Sequence, residues 1–443
     1  MNILMLQVEA SKFVGTTKEH LDAFLKYSKH NIVQWDITSF KKRNVNISMF
    51  DCIVFHHSIP IGYGSYISDD FAKKINSFKG LKALLIQDEM RWVNSTCEKI
   101  QKLGVSLIFT VVNKDIVRDI YRGPYFDNVR FEHVLTGYVP EALLGLNLPK
   151  YEDRSIDVSY RARKLPAWYG RFGQEKSRIA EGFLEKIKDE DLHCDISCAE
   201  KDRIYGDRWI EFVSNSKATL GAESGASFID YTGEVGPTIE AYAERHPEAS
   251  FEELSDKFLE GRDGKTVIHV ISPRCFEAAA LKTLMIMYEG TYSDVLEPGR
   301  HYVMLKRDHS NIQDVVDVLR DPQKAGEIIE NAYRDVACSG RWSYESLIKQ
   351  FDDAVFLAWK EKGVSAAQEW TSAQLQDILK RSKKFVTFND RRYKVAFWMS
   401  QKYQGLLDAV DRNFSPPFVR FLKRLILIVT KPLRVLMRFL LVD

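Results

Sequence analysis

The strongest constraint on the fold is a regular alternation of short apolar segments with amphipathic helical patterns, which occurs twice along the chain. Within residues 1–150, strands are predicted for NILMLQ, NIVQWDI, DCIVFHH, LKALLIQ and VSLIFTVV, and helical spacing of apolar residues appears between them in TTKEHLDAFLKYSK and DDFAKKINSF. Strands that alternate with helices favour a parallel sheet that is covered on both faces. The first 150 residues are therefore predicted to form one doubly wound α/β domain.

A second series of the same kind follows, with predicted strands at IDVSY, LHCDIS, KATLG, TVIHVIS, TLMIMY and HYVML. The segment EALLGLNLPKYEDRS between the two series is polar, contains a proline and suits a linker. We interpret the acidic, helical stretch 233–265 as an insertion, and the patterns after residue 306 are mostly helical. The sequence thus predicts two tandem Rossmann-like domains, 1–150 and 151–336, and a helical extension over 337–417.

Composition indicates which kinds of partner and which cellular compartment to expect. The formal net charge of +2 gives no general reason to expect nucleic acid as a partner. Six cysteines are scattered, and Cys194 and Cys198 lack the second pair that a zinc site requires. The N-terminus has no basic segment before its short apolar run, which argues against a signal peptide. We therefore expect a reduced, cytoplasmic protein.

The last 26 residues, 418–443, carry a distinct pattern. Their longest uncharged run, LILIVT, is far too short to span a bilayer, and Pro432 is expected to kink the helix. Apolar residues fill one helical face, and cations line the other: Arg420, Lys423, Arg424, Lys431, Arg434 and Arg438. This pattern predicts a helix that lies on an anionic membrane surface at the inner face of the membrane, although packing across the domains or a dimer contact is the alternative.

Several strand-to-helix turns of the second domain carry charged residues, and such turns are where open parallel sheets bind ligands. Arg161 follows the strand IDVSY directly, with Arg163 and Lys164 behind it, and Lys176 lies near the start of the next helix. Cations in this position suit a diphosphate, whereas a solvated basic loop is the alternative. Glu223 follows the strand KATLG and either binds sugar hydroxyls or caps a helix.

Two further turns complete the predicted site. Ser272 and Pro273 signal a helix start, which places Arg274 and Glu277 one turn apart on an otherwise apolar helix. A salt bridge between them would contribute only a few tenths of a kcal/mol, so a buried carboxylate here predicts a ligand. The other turn follows the strand TLMIMY, and its backbone N–H groups suit phosphate oxygens. Its residues are Thr291, Tyr292 and Ser293.

The segment SPRCFEAAALKTLMIMYEGTYSDVLEPGRHYVML resembles the R-x-F-E-A motif, strand and E-P-G turn of the GT-B glycosyltransferases, especially a bacterial subgroup similar to spore-maturation glycosyltransferases. The resemblance implies that Glu277 holds the ribose of a nucleotide-sugar donor and that Arg161 and Lys176 contact its diphosphate. It also places Glu223 near the donor sugar. The chain departs from the family because 53 residues, rather than seven, separate Glu223 from Glu277, with His269 eight positions before Glu277.

The resemblance further implies that the first domain carries the acceptor and any catalytic base. The candidates are His20, His56, His57 and the acidic pair Asp88–Glu89 at the end of LKALLIQ, of which the pair is the best placed. No Asp-x-Asp pattern with a metal context occurs, so we expect metal-independent transfer without a cofactor.

The sequence therefore predicts a glycosyltransferase that moves a sugar from a nucleotide donor to a membrane-associated or cell-surface glycan, such as a lipid-linked acceptor. Two alternatives stay open. One is a nucleotide-sugar epimerase, which the membrane tail disfavours because a soluble product needs no membrane. The other is a non-catalytic, membrane-tethered protein that binds a glycan or a nucleotide.

Overall fold

The computed structural model of the chain describes most of the two predicted domains. The described residues are 1–9, 11, 15–41, 45–64, 66–367 and 370–382. The predicted membrane helix over 418–443 lies outside them, as does most of the second half of the helical extension. Within the described ranges, no helix has the length and apolar character needed to cross a bilayer.

The first domain is built on one six-stranded parallel sheet in the order β2-β1-β3-β4-β5-β6. Its strands are β1 (Asn2–Gln7), β2 (Asn31–Asp36), β3 (Cys52–Phe55), β4 (Leu81–Ile86), β5 (Leu107–Thr110) and β6 (Arg130–His133). Its helices are α1 (Gly15–Tyr27), α2 (Ile37–Lys41), α3 (Asp69–Asn76), α4 (Val93–Leu103) and α5 (Val117–Ile120). Five of the six strands are the predicted ones, and they are almost entirely buried. The sixth, at the sheet edge, is polar and only partly buried, so apolar patterning did not reveal it.

The second domain repeats the design with a five-stranded parallel sheet in the order β13-β12-β9-β7-β8. Its strands are β7 (Ile156–Arg161), β8 (Cys194–Ser197), β9 (Ser216–Gly221), β12 (Leu284–Tyr288) and β13 (Val303–Leu305). The helices around it are α6 (Gly170–Gly173), α7 (Glu175–Lys186), α8 (Asp207–Ser214), α11 (Pro273–Ala280), α12 (Ile312–Arg320) and α13 (Pro322–Ala332). The prediction of two tandem Rossmann-like domains is confirmed.

The predicted insertion forms two helices beside a small ribbon. These elements are β10 (Ser224–Ala226), α9 (Val235–Arg245), α10 (Phe251–Phe258) and β11 (Ile268–Val270). The segment TVIHVIS does form a strand, but β11 pairs antiparallel with β10 and stays outside the main sheet. The strand β10 precedes the insertion and β11 follows it, so the two short strands lie side by side and pair with each other.

A long helix, α14 (Tyr344–Glu361), returns from the second domain to cover the first. The ring of Phe351 packs 4.8 Å from that of Phe24 and 5.3 Å from that of Phe109. The carboxylate of Asp352 accepts hydrogen bonds from the Ser28 hydroxyl and the Lys29 backbone N–H, both at 2.7 Å. This helix therefore ties the two domains together, and Asp352 has a structural role.

The two sheets present the carboxyl ends of their strands to a common cleft. At one side of it Gly137 of the first domain approaches Pro273 so closely that an added Cβ would lie 2.7 Å from the proline Cβ. The Thr136 hydroxyl donates a hydrogen bond to the carbonyl of Ile271 at the same junction. The start of α11 is thus fixed against the first domain, and the cleft is bounded on this side.

Candidate functional site

A pocket of about 290 Å³ opens at the carboxyl ends of β7 and β9. In the sheet, β8 lies on one side of β7 and β9 lies on the other, so the strand order reverses at β7. The pocket lies at this reversal, which is the usual ligand position in open parallel sheets. Tyr160 and Ala162 at the end of β7 form one wall, and Ser272 and Pro273 at the start of α11 form another. Most of its lining residues are apolar, which suits an aromatic base.

Three cations line this pocket, and no carboxylate is present among its described lining residues. They are Arg163, Lys176 and Arg274. The Lys176 ammonium donates a hydrogen bond to the Ser224 hydroxyl at 2.8 Å. Burial and the neighbouring Arg274 lower the pKa of Lys176 to about 8, against the opposing influence of Asp88. A concentrated positive charge without an internal counter-ion is an anion-binding arrangement.

The helix α11 begins at Pro273, as predicted, and places Glu277 one turn below the pocket. Glu277 accepts a hydrogen bond from the Trp209 indole at 2.7 Å, and burial raises the pKa of Glu277 despite this bond and the nearby Arg274. Arg274 forms no ion pair with Glu277. Its guanidinium lies 4.8 Å from the centre of the Trp209 ring and donates to the Arg161 carbonyl. The salt-bridge interpretation of this helix therefore fails, and Trp209 separates the two charges.

Arg161 lies at the end of β7 but does not line the pocket. Its guanidinium donates to the backbone carbonyls of Asp202, Tyr160 and Asp195 and forms an ion pair of 2.8 Å with the Asp195 carboxylate. These contacts hold the Arg161 side chain at the edge of the sheet. Arg163, two residues later, reaches the pocket instead. A contact of Arg161 with a diphosphate stays a prediction that requires this network to open.

Glu223 binds the turn that was predicted to bind phosphate. Its carboxylate accepts hydrogen bonds from the Thr291 hydroxyl at 3.1 Å and the Tyr292 backbone N–H at 2.7 Å, and it lies 3.5 Å from the His269 ring nitrogen. Burial opposes ionisation of Glu223, but the hydrogen bonds from these three residues together lower its pKa. The turn that Glu223 binds is tight, because Ser293 within it adopts a left-handed backbone with φ of 54°. The hydrogen bonds to Glu223 therefore stabilise this turn. The capping alternative for Glu223 is therefore the one that the geometry favours.

The acidic pair after β4 is divided between the cleft and the core. Glu89 is buried, accepts hydrogen bonds from the hydroxyls of Thr110 and Tyr121, and has its pKa raised to about 7 by burial. Asp88 has a left-handed backbone, with φ of 59°, and its solvent-accessible side chain accepts no hydrogen bond from the described residues. Desolvation between the walls of the cleft raises the pKa of Asp88, and the positive charge of Lys176 in the opposite domain partly offsets this effect. Of the two acids, only Asp88 therefore faces the pocket that is lined by Arg163, Lys176 and Arg274.

Three histidines of the first domain, His20, His56 and His57, form one cluster, whose ring nitrogens approach within 4.8 Å of one another. The Ser58 backbone N–H donates to Nδ1 of His56 at 3.1 Å, so Nε2 of His56 carries the proton and donates to Nδ1 of His20 at 2.9 Å. Burial lowers the pKa of His20 well below its usual value and that of His57 to about 4. His20 and His57 are therefore neutral, and a hydrogen bond joins His20 to His56 in the packed interior. A metal at Nε2 of His56 would have to displace this proton.

Two site residues have no signal in the sequence that could have identified them. Trp209 lies on the short helix α8, where its spacing is that of any amphipathic helix, yet it lines the pocket and bonds Glu277. Arg91 follows the acidic pair in a turn without a recognisable motif. Both positions depend on contacts between segments distant in sequence.

Comparison with solved structures finds proteins of similar architecture at low sequence identity. An alpha-glucosyltransferase (AGT) in complex with UDP is 11% identical over 80% of this chain and 99% of its own, with a TM-score of 0.49. HepE of Anabaena in complex with UDP is 10% identical over 81% of this chain and 100% of its own, with a TM-score of 0.46. TarM is 12% identical over 72% of this chain and 57% of its own, with a TM-score of 0.41. No protein-family model and no curated protein sequence matches the chain.

Proposed function

We propose that this protein is a glycosyltransferase that moves a sugar from a nucleotide-sugar donor to a glycan acceptor, within the GT-B class and its spore-maturation-like subgroup that the sequence resembles. The observation that carries the proposal is the pocket at the strand-order reversal, with three cations and no lining carboxylate, faced across the cleft by Asp88. A nucleoside diphosphate has the shape and charge for this pocket because its base is flat and apolar and its diphosphate is anionic.

The donor is proposed to lie with its diphosphate against Lys176, Arg163 and Arg274 and its base in the apolar part of the pocket. The resemblance implies that Glu277 holds the ribose. One of its carboxylate oxygens accepts the bond from Trp209, and the other accepts none from the described residues, so it is available for a hydroxyl. These contacts orient the anomeric carbon toward the first domain.

In the proposed reaction, a hydroxyl of the acceptor forms a bond to the anomeric carbon, and the bond from that carbon to the diphosphate oxygen breaks. Asp88 takes the proton of the hydroxyl, a role for which a raised pKa is suitable. The three cations stabilise the charge that develops on the leaving diphosphate. The proposal assigns this stabilisation to side chains rather than to a metal ion.

The test is the release of nucleoside diphosphate from nucleotide sugars, starting with UDP-glucose. We expect Glu277→Ala to lower turnover by about 10- to 100-fold, since a lost hydrogen bond to a charged group costs about 1.5–3 kcal/mol. Glu330→Ala is the matched control, because this carboxylate pairs with Lys282 on the surface, away from the pocket. Binding of nucleotide sugars without any release would reject the transferase and favour a binding protein.

We also propose that the acceptor lies at a membrane, on the evidence of the basic amphipathic sequence 418–443 alone. We expect the full chain to sediment with vesicles containing anionic phosphatidylserine and a variant ending at Ser415 to stay in the supernatant. Neutral phosphatidylcholine vesicles are the control, since the cations of the tail have no counter-charge there. Equal sedimentation of both proteins with the anionic vesicles would assign the tail to packing or dimerisation.

A further inference from the structure

A second pocket, of about 230 Å³, lies in the first domain beside Asp88 and apart from the donor pocket. It is formed largely by the turn between β4 and α4 together with the loop after β3. Tyr63 and Trp92 stack in its wall with ring centres 4.4 Å apart, and Tyr63 is 57% exposed. Arg91 also lines this pocket. An aromatic surface offers apolar contact area to the face of a sugar ring, and an adjacent arginine pairs with a carboxylate or phosphate on that ring.

Among the residues that the structure describes, Arg91 has no anionic partner. Its guanidinium lies between two indoles, 4.0 Å from the ring centre of Trp92 and 4.6 Å from that of Trp168. Its Nε–H is buried and has no hydrogen-bond partner, and no carboxylate of the described residues lies within ion-pair distance of the side chain. A buried, unsatisfied donor on a charged group costs free energy unless a ligand supplies the acceptor. The faces of the guanidinium are covered, so a ligand must approach its edge.

Backbone strain and close packing hold this cation in place. Trp92 adopts a left-handed backbone, with φ of 52°, which is uncommon for a bulky residue and requires support from its surroundings. The insertion supplies this support: a Cβ on Gly233 would lie 1.8 Å from the Trp92 ring, and one on Gly236 would lie 3.0 Å from Nη2 of Arg91. The insertion therefore fits closely around the turn, and this fit keeps the unpaired guanidinium beside the pocket.

We propose that this pocket binds an anionic sugar of the acceptor, with its carboxylate or phosphate on the edge of Arg91 and its ring against Tyr63. This inference rests on the proposed function, since it identifies the pocket beside Asp88 as the acceptor side of that site. The paired anion fixes the orientation of the sugar, and the same pocket contains Asp88, so an acceptor hydroxyl is delivered to the base. Acidic glycans are then preferred over neutral ones.

The test measures binding of three small sugars without any donor, by the fluorescence of the two tryptophans that enclose Arg91. We expect saturable binding of methyl glucuronide, or of glucose 6-phosphate if the anion is a phosphate, and much weaker binding of methyl glucoside. Arg91→Gln should weaken anionic-sugar binding by about 10- to 100-fold, because the charge-assisted hydrogen bonds are lost. Arg118→Gln, which removes an exposed arginine of the same domain, should leave this binding unchanged.

Gly236→Ala provides a second variant that keeps the charge and shifts the guanidinium by a few tenths of an ångström, so it should weaken binding of the anionic sugar less than Arg91→Gln does. Equal affinity for the neutral and anionic sugars, or full anionic-sugar affinity in Arg91→Gln, would overturn the proposal. UDP affinity should be unchanged in both variants, because Arg91 does not line the donor pocket. Donor turnover without anionic-sugar binding rejects this inference alone, whereas anionic-sugar binding without any turnover rejects the transferase alone.

Discussion

Asp88→Asn should lower the rate of glycosyl transfer by about 10²- to 10⁴-fold, the usual contribution of a general base. The asparagine keeps the size and the polar character of the side chain but does not accept the proton of the acceptor hydroxyl. Because Asp88 lies across the cleft from the anion pocket, the affinity for UDP should change little. Steady-state release of UDP in the presence of acceptor, together with calorimetric titration of UDP, separates the two quantities.

The neighbouring acid offers a matched control for this experiment. Glu89 accepts hydrogen bonds from the hydroxyls of Thr110 and Tyr121 in the core, and the carbonyl oxygen of a glutamine accepts the same two. Glu89→Gln should therefore fold and keep far more of the transfer rate than Asp88→Asn, although Glu89 also lines the pocket beside Asp88 and its second carboxylate oxygen has no hydrogen-bond partner among the described residues. Loss of activity in Glu89→Gln with an unchanged rate in Asp88→Asn would exchange the roles of the two acids.

Sequence alone identified this pair but had no means of dividing it. Two adjacent residues at the end of a strand are expected to point to opposite faces, yet the strand pattern does not say which one reaches the cleft. The structure decides the matter, because Asp88 adopts a left-handed backbone in the turn and Glu89 is held in the core by Thr110 and Tyr121. Trp92 in the same turn is left-handed as well, which no propensity would predict for a tryptophan.

The fold was predictable where apolar residues form continuous buried strands. It was not predictable where a polar strand pairs at the edge of a sheet. The strands β1 and β12 are buried along their whole length, and their sequences reveal them directly. The strand β6 is polar and only partly buried, so only its neighbour β5 explains it. In the site, the helix start at Pro273 was predictable from local chemistry, whereas the partner of Glu277 is Trp209, 68 residues away.

Lys176→Met should weaken UDP binding by about 10- to 100-fold at pH 7, because it removes an ammonium that is predicted to contact the diphosphate. The wild-type affinity should also depend on pH, since burial and Arg274 lower the pKa of Lys176 to about 8. A bound diphosphate stabilises the charged ammonium and raises this pKa, so binding takes up a proton above pH 8. The affinity for UDP should therefore be constant below that value and fall above it, by at most about tenfold per pH unit.

Calorimetry of UDP between pH 6.5 and 9.5 tests this linkage, and buffers of different ionisation enthalpy report the proton uptake directly. The diphosphate itself loses its last proton near pH 6, about two units below the expected transition, so its own titration does not interfere. Lys176→Arg is the control, because a guanidinium stays charged throughout and should give an affinity that is independent of pH above 7. An equal decline in Lys176→Arg would assign the titration to another group, and a flat wild-type profile would place the diphosphate away from Lys176.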